Sequence, residues 1–505
     1  MKCNNCGTEN EPGTKFCVNC GAVVQADAPS EELPPVNEAP AKKGLDLKKI
    51  GIYAGIALAA VLVIVLLVNL FSGSAYPQFS QSINPLYNED DEATTILVGG
   101  KPLKTTIPGT ANIADVSLDA KTALIVASED DTRSLYTLVG SKLTEAVKEL
   151  DSRKVYLSDN GAYYVYYADD AMYWGKVGSK GTKVAESDDN PDNVTLSPDG
   201  KTLAYTVSND DGELEARLFK GKDSEKISKD LIPMVISNSG KYIYGLKQDE
   251  EGTDLYCYNP KGDGEKIAAD VSDFYVLTNK DHTQLIFTGS DGKSYAVVKK
   301  GEKQKVSSSS LSMVTPNSSQ VRGCGSAVVY GVSDLRNHIF STGDDNDLVY
   351  VNGKWEADKL VSSVSNYQMS DDGKIILYRK NDKVYSIKAK KGAEGKELAD
   401  DVRGARFLPD GKSFYWKDED GVFYFQKGTG KAKKVAEDVE TMRLTHDGYL
   451  IFQSDDEWYY TKNGGKKTKL SDEISDIYTS LDCTIYRDED GNYYYAAKGM
   501  KFKKN

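Results

Sequence analysis

The chain repeats one short turn, and that repeat limits its fold more than any single residue does. Leu157-Ser-Asp-Asn-Gly-Ala-Tyr-Tyr-Val-Tyr-Tyr167 aligns with Leu196-Ser-Pro-Asp-Gly-Lys-Thr-Leu-Ala-Tyr205 and with Met369-Ser-Asp-Asp-Gly-Lys-Ile-Ile-Leu-Tyr378, and further copies begin at Ile236, Leu408 and Leu444. An Asp/Asn-Gly or Ser-Gly turn feeding an alternating apolar and aromatic run is the signature of a tight turn followed by a strand. A second turn and strand follow, as at Asp420-Gly421 before Val422 to Phe425, Asp291-Gly292 before Tyr295 to Val298, and Asp490-Gly491 before Tyr493 to Tyr495. A short apolar segment closes each unit, at Lys183-Val184, Lys266-Ile267, Lys434-Val435 and Lys469-Leu470. Each unit therefore reads as three or four antiparallel strands.

The turn glycines Gly161, Gly200 and Gly240, and then Gly373, Gly411 and Gly448, lie 37 to 40 residues apart within each group. That period is close to one four-stranded propeller blade, and no helical period of 3.6 competes with it. A lone four-stranded sheet leaves both faces bare, so units must stack, and radial stacking leaves only short edges. The expectation is a mainly β protein with a β-propeller-like repeat domain over 106–505. Counting weak copies gives about ten units, more than one ring of four to eight blades, so either two rings exist or some units are incomplete. The turn motif is lost between about Ser307 and Lys359, where one or two units should be degenerate or interrupted. A pair of β-sandwiches is the alternative fold, because regular short strands alone do not prove closure.

The run Leu196 to Tyr205 resembles the repeat of TolB-type and WD40-like (PD40-type) propellers, and the likeness extends more weakly over about 390 residues. The resemblance implies a propeller whose usual use is protein or ligand binding.

Four of the seven cysteines fall in the first 20 residues, too uneven for a disulfide framework spread through a secreted fold. Cys3, Cys6, Cys17 and Cys20 form C-x2-C-x10-C-x2-C, and a glycine (Gly7, Gly21) follows each pair. Two such knuckles aim four thiolates at one point and satisfy tetrahedral Zn²⁺. About twenty residues cannot bury enough surface to fold unaided, so the metal supplies the folding free energy around Phe16. With every ligand position filled by protein, the site is structural rather than catalytic. A redox pair and two disulfides are the competing readings. The stretch over 1–22 resembles the short zinc ribbons at the N-termini of many bacterial membrane proteins, which implies a structural zinc site and a docking role.

A linker over 23–49 carries Pro29, Pro34, Pro35 and Pro40 among acidic residues and alanine, a composition that stays extended and disordered. Ile50 to Phe71 then gives 22 residues without a charge, enough at about 1.5 Å per residue to cross the hydrocarbon core as one helix. Lys42, Lys43, Lys48 and Lys49 precede it and no Lys or Arg follows until Lys101, which places the N-terminus in the cytoplasm and the repeats outside a bacterial cell membrane. A cleaved signal peptide is the alternative, with an unusually long leading region. Gly51, Gly55 and Ala59 put small residues on one helix face, a contact for a homodimer. The stretch 72–105 reads as a membrane-proximal segment rich in Ser, Asn and acidic residues.

The net charge of −13 and the lack of a basic stripe exclude a nucleic-acid partner for the large domain. No G-x-S-x-G elbow occurs, and His282, His338 and His446 lack the spacing of a helical metal motif. His446, in Thr445-His446-Asp447-Gly448, reads as a repeat substituent rather than a base. The acidic runs Asp188 to Asp192 and Asp344 to Asp347 read as solvated loops rather than Ca²⁺ sites, and Cys257, Cys324 and Cys483 as buried thiols. Most of the 32 tyrosines should pack between units. The expectation is a non-enzymatic envelope protein: a single-pass membrane anchor, a propeller binding protein, peptide or glycan outside, and a zinc ribbon docking a cytoplasmic partner. The alternative is an envelope hydrolase or lyase whose carboxylates meet in the propeller channel.

Overall fold

The structure is a computed structural model that describes residue 9 and residues 76–208, 212–248, 252–271, 276–299, 302–324, 327–471 and 474–505. The cysteine ligands Cys3, Cys6, Cys17 and Cys20, the linker, the Ile50 to Phe71 stretch and its Gly51, Gly55 and Ala59 lie outside the described residues. Among the described residues no helix is long and apolar enough to cross a membrane. The chain divides into two units, Met1–Asn69 and Leu70–Asn505, and the sheets among the described residues belong to the second.

Among the described residues that unit holds eleven sheets, ten of four strands and one of six. In chain order the blades cover 83–108, 110–147, 156–186, 192–229, 231–268, 276–307, 311–361, 366–399, 404–436, 442–471 and 474–504, numbered here 1 to 11. First strands of neighbouring blades touch, as Leu231–Ile236 does with Asp192–Leu196 and Ile474–Thr479 with Met442–Leu444, so first strands line the centre. Buried apolar side chains fill the gaps between blades. Ile96 and Ile107 of blade 1 pack on Ala123 and Ile125 of blade 2, and Tyr415 and Phe425 of blade 9 pack on Leu450 and Phe452 of blade 10. The ring closes where Leu86 and Leu97 of blade 1 meet Cys483 and Ile485 of blade 11. Each such side chain contributes roughly 1.5–3 kcal/mol on burial, which is why a blade that cannot stand alone is stable between two others.

Two departures from the sequence reading have a physical cause. The units number eleven rather than about ten, because the stretch read as membrane-proximal supplies blade 1, whose Thr94, Ile96 and Leu97 are fully buried without any turn motif to announce them. The motif is lost around 307–359 because blade 7 is split: its first strand, Leu311–Met313, and its second, His338–Thr342, are separated by an inserted hairpin of Val321–Cys324 and Ala327–Tyr330. The inserted strand Ala327–Tyr330 pairs in parallel with Val276–Asn279, the first strand of blade 6, and so enters the centre of the ring.

The repeated turn joins the first and second strands of a blade and holds each blade to its neighbour. Ser197 Oγ donates to Asp199 Oδ1, and the Thr202 N–H donates to Ser197 Oγ; Ser370 and Asp372 repeat this with Ile375. Backbone hydrogen bonds link turn to turn, from Leu118 to Asp159, Asn160 to Pro198, and Asp371 to Pro409. At Gly200 φ is +75°, and a Cβ would lie 2.6 Å from the Cβ of Tyr163 and 2.8 Å from that of Ser158 on the preceding blade. Glycine is thus required by backbone sign and by space at once.

The tyrosines follow a second repeat. Tyr166 and Tyr173, Tyr378 and Tyr385, and Tyr486 and Tyr494 are directly opposed on second and third strands, with ring centroids 5.3, 5.2 and 4.7 Å apart. Trp416 and Tyr424 take the same places in blade 9. Cross-strand stacks of this kind add about 0.5–1.5 kcal/mol each.

Candidate functional site

The inserted hairpin and the strap at 76–82 together form a septum across the centre. Tyr76 is buried and shares a hydrogen bond with His338 Nδ1 of blade 7 at 2.9 Å. Burial pushes the Tyr76 phenol well above its usual range and the His338 imidazole below its own. Gln78 pairs with Ser319 of the hairpin, and its side-chain amide donates to the Asp371 carbonyl of blade 8. At the far end Ser80 donates to the Asp119 carbonyl of blade 2, and Ser82 to the Asp482 carboxylate of blade 11. Arg322 of the hairpin anchors the other side: its guanidinium donates to Asp115 Oδ2 at 2.6 Å, to Asp159 Oδ1 at 2.5 Å and to the Leu157 carbonyl at 2.6 Å.

One cavity, of about 420 Å³, lies on the side of blades 2 to 5 and is lined by Asp115, Asp159, Asp192, Met234 and Arg322 among others. Its charges are already used. Asp159 is 6% exposed; burial pushes its carboxyl up, but His282 and Arg322 outweigh that and hold it below the usual carboxylate range. His282 Nε2 sits 2.8 Å from Asp159 Oδ2, while Nδ1 contacts the Ile236 carbonyl at 3.0 Å. Asp192 pairs with Lys154 at 3.0 Å. His282 occupies the place that glycine fills in other turns, with φ +52°. A non-glycine residue there costs of order 1–3 kcal/mol, which the ring's fit between Asp159 and Ile236 offsets.

The other cavity, of about 520 Å³, lies among blades 8 to 11 and is lined by Asn366, Gln368, Arg406, His446, Thr479 and Asn317 with a few apolar residues, and by no carboxylate. Two of its polar residues, Gln368 and Arg406, hold the same place in their blades, a place that Arg443 and Tyr478 hold in blades 10 and 11. The residue two before the turn Ser/Thr, or its counterpart, is Gln368 in blade 8, Arg406 in blade 9, Arg443 in blade 10 and Tyr478 in blade 11. Their strand neighbours Met369, Phe407, Leu444 and Ile477 pack between blades, and the alternation of a strand turns these four the other way. Arg406 and Arg443 donate only to the carbonyls of Ala405 and Met442, and among the described residues neither has an ion-pair partner. At the rim, His446 Nε2 lies 3.0 Å from Asp371 Oδ2; that hydrogen bond raises the imidazole above its ordinary value.

Of these central groups, the sequence reading names only Asp192, in an acidic run, and His282, His338 and His446, as the histidine set. The signal was present in the offset from the turn, which places Arg406 and Arg443 at the same rung. Among the described residues no three His, Cys, Asp or Glu side chains converge as a metal site. Cys257 and Cys483 are buried, and burial pushes the Cys483 thiol up to about 11. The side chain of Cys324 lies outside the described residues.

Residues 2–24 match the zinc-ribbon domain family. The chain carries a zinc ribbon at its N-terminus. Four cysteines in two knuckles are a complete donor set for zinc. No curated protein matches the chain. A solved structure described as the crystal structure of the eukaryotic initiation factor aligns over 72% of this chain and 91% of its own, at 12% identity and a TM-score of 0.31. At that score the likeness carries no argument.

Proposed function

We propose that this is a single-pass membrane-anchored binding or scaffold protein of a bacterial envelope, with a TolB- or WD40-like propeller outside the cell and the zinc ribbon docking a partner in the cytoplasm. The observation that carries the binding role is the cavity among blades 8 to 11: roomy, lined by hydrogen-bond donors and free of carboxylates, in the size range of small-ligand sites. The uncharged stretch Ile50 to Phe71 and its one-sided lysine flank support the anchor and its direction. Cys3, Cys6, Cys17 and Cys20 would hold Zn²⁺, which supplies the folding free energy of a module too small to fold by burial. The second reading, an envelope hydrolase or lyase, draws on Asp115 and Asp159 beside the other cavity. Both carboxylates are engaged by Arg322, and Asp159, held below the usual carboxylate range by His282 and Arg322, is poorly matched to proton transfer.

A photo-crosslinking residue at Gln368 of the full chain in its own cells, compared with one at Lys142 on an outer strand, tests the binding role. Adducts at Gln368 are expected. Adducts at Lys142 alone would move the binding surface out of the ring.

A further inference from the structure

Arg406 lines the cavity among blades 8 to 11, Arg443 holds the matching place on the next first strand, and among the described residues neither is paired with a carboxylate. The chain has 76 Asp and Glu against 63 Lys and Arg, so carboxylates are plentiful. Most other arginines use them: Arg322 pairs with Asp115 and Asp159, Arg336 with Asp334, Arg379 with Asp382, and Arg217 with Glu215, whereas Arg133 and Arg153, away from the centre, do not. Arg406 and Arg443 stand on the same rung of neighbouring first strands, where like charges repel. Within blade 11 the carboxylate of Asp476, two residues before Tyr478, accepts from the Ile477 N–H and faces the Tyr478 hydroxyl rather than an arginine. Around the two cations stand neutral donors, Gln368 on the next strand and Asn317 from the septum. Asn366 is fixed by its bond to the Ala405 carbonyl, 2.9 Å away, which holds blades 8 and 9 at a set spacing.

Resting on the binding role above, we propose that this half of the channel is an oxyanion site, in which Arg406 and Arg443 grip a carboxylate or phosphate group borne by the ligand and Gln368 and Asn317 hydrogen-bond its flanks. Guanidinium groups recognise both kinds of oxyanion by paired N–H donors. The rest of the ligand lies against Phe407, Pro409 and Leu444, which line the same cavity. The septum closes the site on the side of blades 2 to 6, so the anion meets only the arginine-bearing half.

The full chain in neutral detergent is titrated by calorimetry with inorganic phosphate and, separately, with glutarate; the two arms tell phosphate from carboxylate recognition. At least one anion saturates a single site per chain. Arg406→Gln and Arg443→Gln each weaken it about tenfold or more, as expected for a lost charge-assisted hydrogen bond. Lys142→Gln, which removes one positive charge from an outer strand, leaves it unchanged, and Arg406→Lys falls between parent and Arg406→Gln. The proposal is overturned if neither anion saturates, or if binding survives both arginine replacements in variants that melt like the parent. Gln368 adducts in cells without anion binding would sink the oxyanion assignment and leave the binding role standing; loss of both would remove the two together.

Discussion

The two halves of the ring are built alike at the rim and differently at the centre. Both use a belt of tight turns that mostly end on glycine, and Gly411 sits on Ser370 and Ile375 of the blade before it as Gly200 sits on Ser158 and Tyr163. At the centre of blades 2 to 5, an arginine from the septum bridges two carboxylates, Asp115 and Asp159, so these charged groups are already engaged with one another. At the centre of blades 8 to 11, Arg406 of blade 9 lines an open cavity that has no carboxylate in its lining. The same scaffold thus spends one set of charges on holding the septum in place and leaves the other for a ligand.

The sharpest way to break that comparison is to remove one arginine from each half. Arg322→Leu strands Asp159, and should cost about 3–5 kcal/mol, because a buried charge loses its partner. Arg406→Leu removes no ion pair and should change stability by less than about 0.5 kcal/mol. Thermal melts of the full chain decide it, and equal losses would mean that Arg406 has a structural partner. The likeness of the two rims is tested by Gly200→Ala and Gly411→Ala, each expected to cost about 3 kcal/mol from a left-handed backbone plus crowding by the preceding blade. Gly140→Ala, at φ +62° with open space around its Cβ, should cost only about 1–2 kcal/mol. A large loss at Gly200 but not at Gly411 would show that the belt is not continuous.

The smallest effect concerns pH and separates His446 from the other histidines. Its imidazole is raised in the folded chain, chiefly by the hydrogen bond to Asp371, with Asp447 and Asp482 also nearby. A cation stabilised by folding contributes fully below the unfolded histidine value of about 6.5, and that contribution is lost as pH rises through the higher folded value. The difference in melting temperature between the parent and His446→Gln should therefore be largest at mildly acid pH and shrink on going alkaline, worth about 1 kcal/mol or less. A difference that grows with pH would contradict the assignment.

What the sequence made legible was whatever recurred. The turn glycines, spaced by a blade, set the repeat, the strand order and the interlocking rim, because both backbone sign and space demand glycine there. Blade 1 escaped because Thr94, Ile96 and Leu97 fold into a sheet without a glycine turn of that type, and its Ser, Asn and acidic residues after an apolar stretch looked like a spacer. The septum escaped for a different reason: a hairpin inserted between two strands of one blade looks, in sequence, like decay of the motif. Its partners, Asp115 and Asp159, lie more than 160 residues away from Arg322, as far as 207, and no local pattern carries that. Arg406 and Arg443 were readable only by counting back from each turn, once the blades were known to face one centre.

The opposed character of the two cavities is tested most directly by thiol modification at one cysteine placed in each, Met234→Cys on the side of blades 2 to 5 and Gln368→Cys on the side of blades 8 to 11. Rates with an anionic and a cationic methanethiosulfonate reagent are read at the modified peptide by mass spectrometry. Two nearby guanidinium groups should raise the anionic-to-cationic rate ratio at Gln368→Cys about threefold or more above that at Met234→Cys. Equal ratios, or a lower one at Gln368→Cys, would contradict the division of the ring into a half whose cavity holds carboxylates paired with Arg322 and a half whose cavity holds an unpaired arginine.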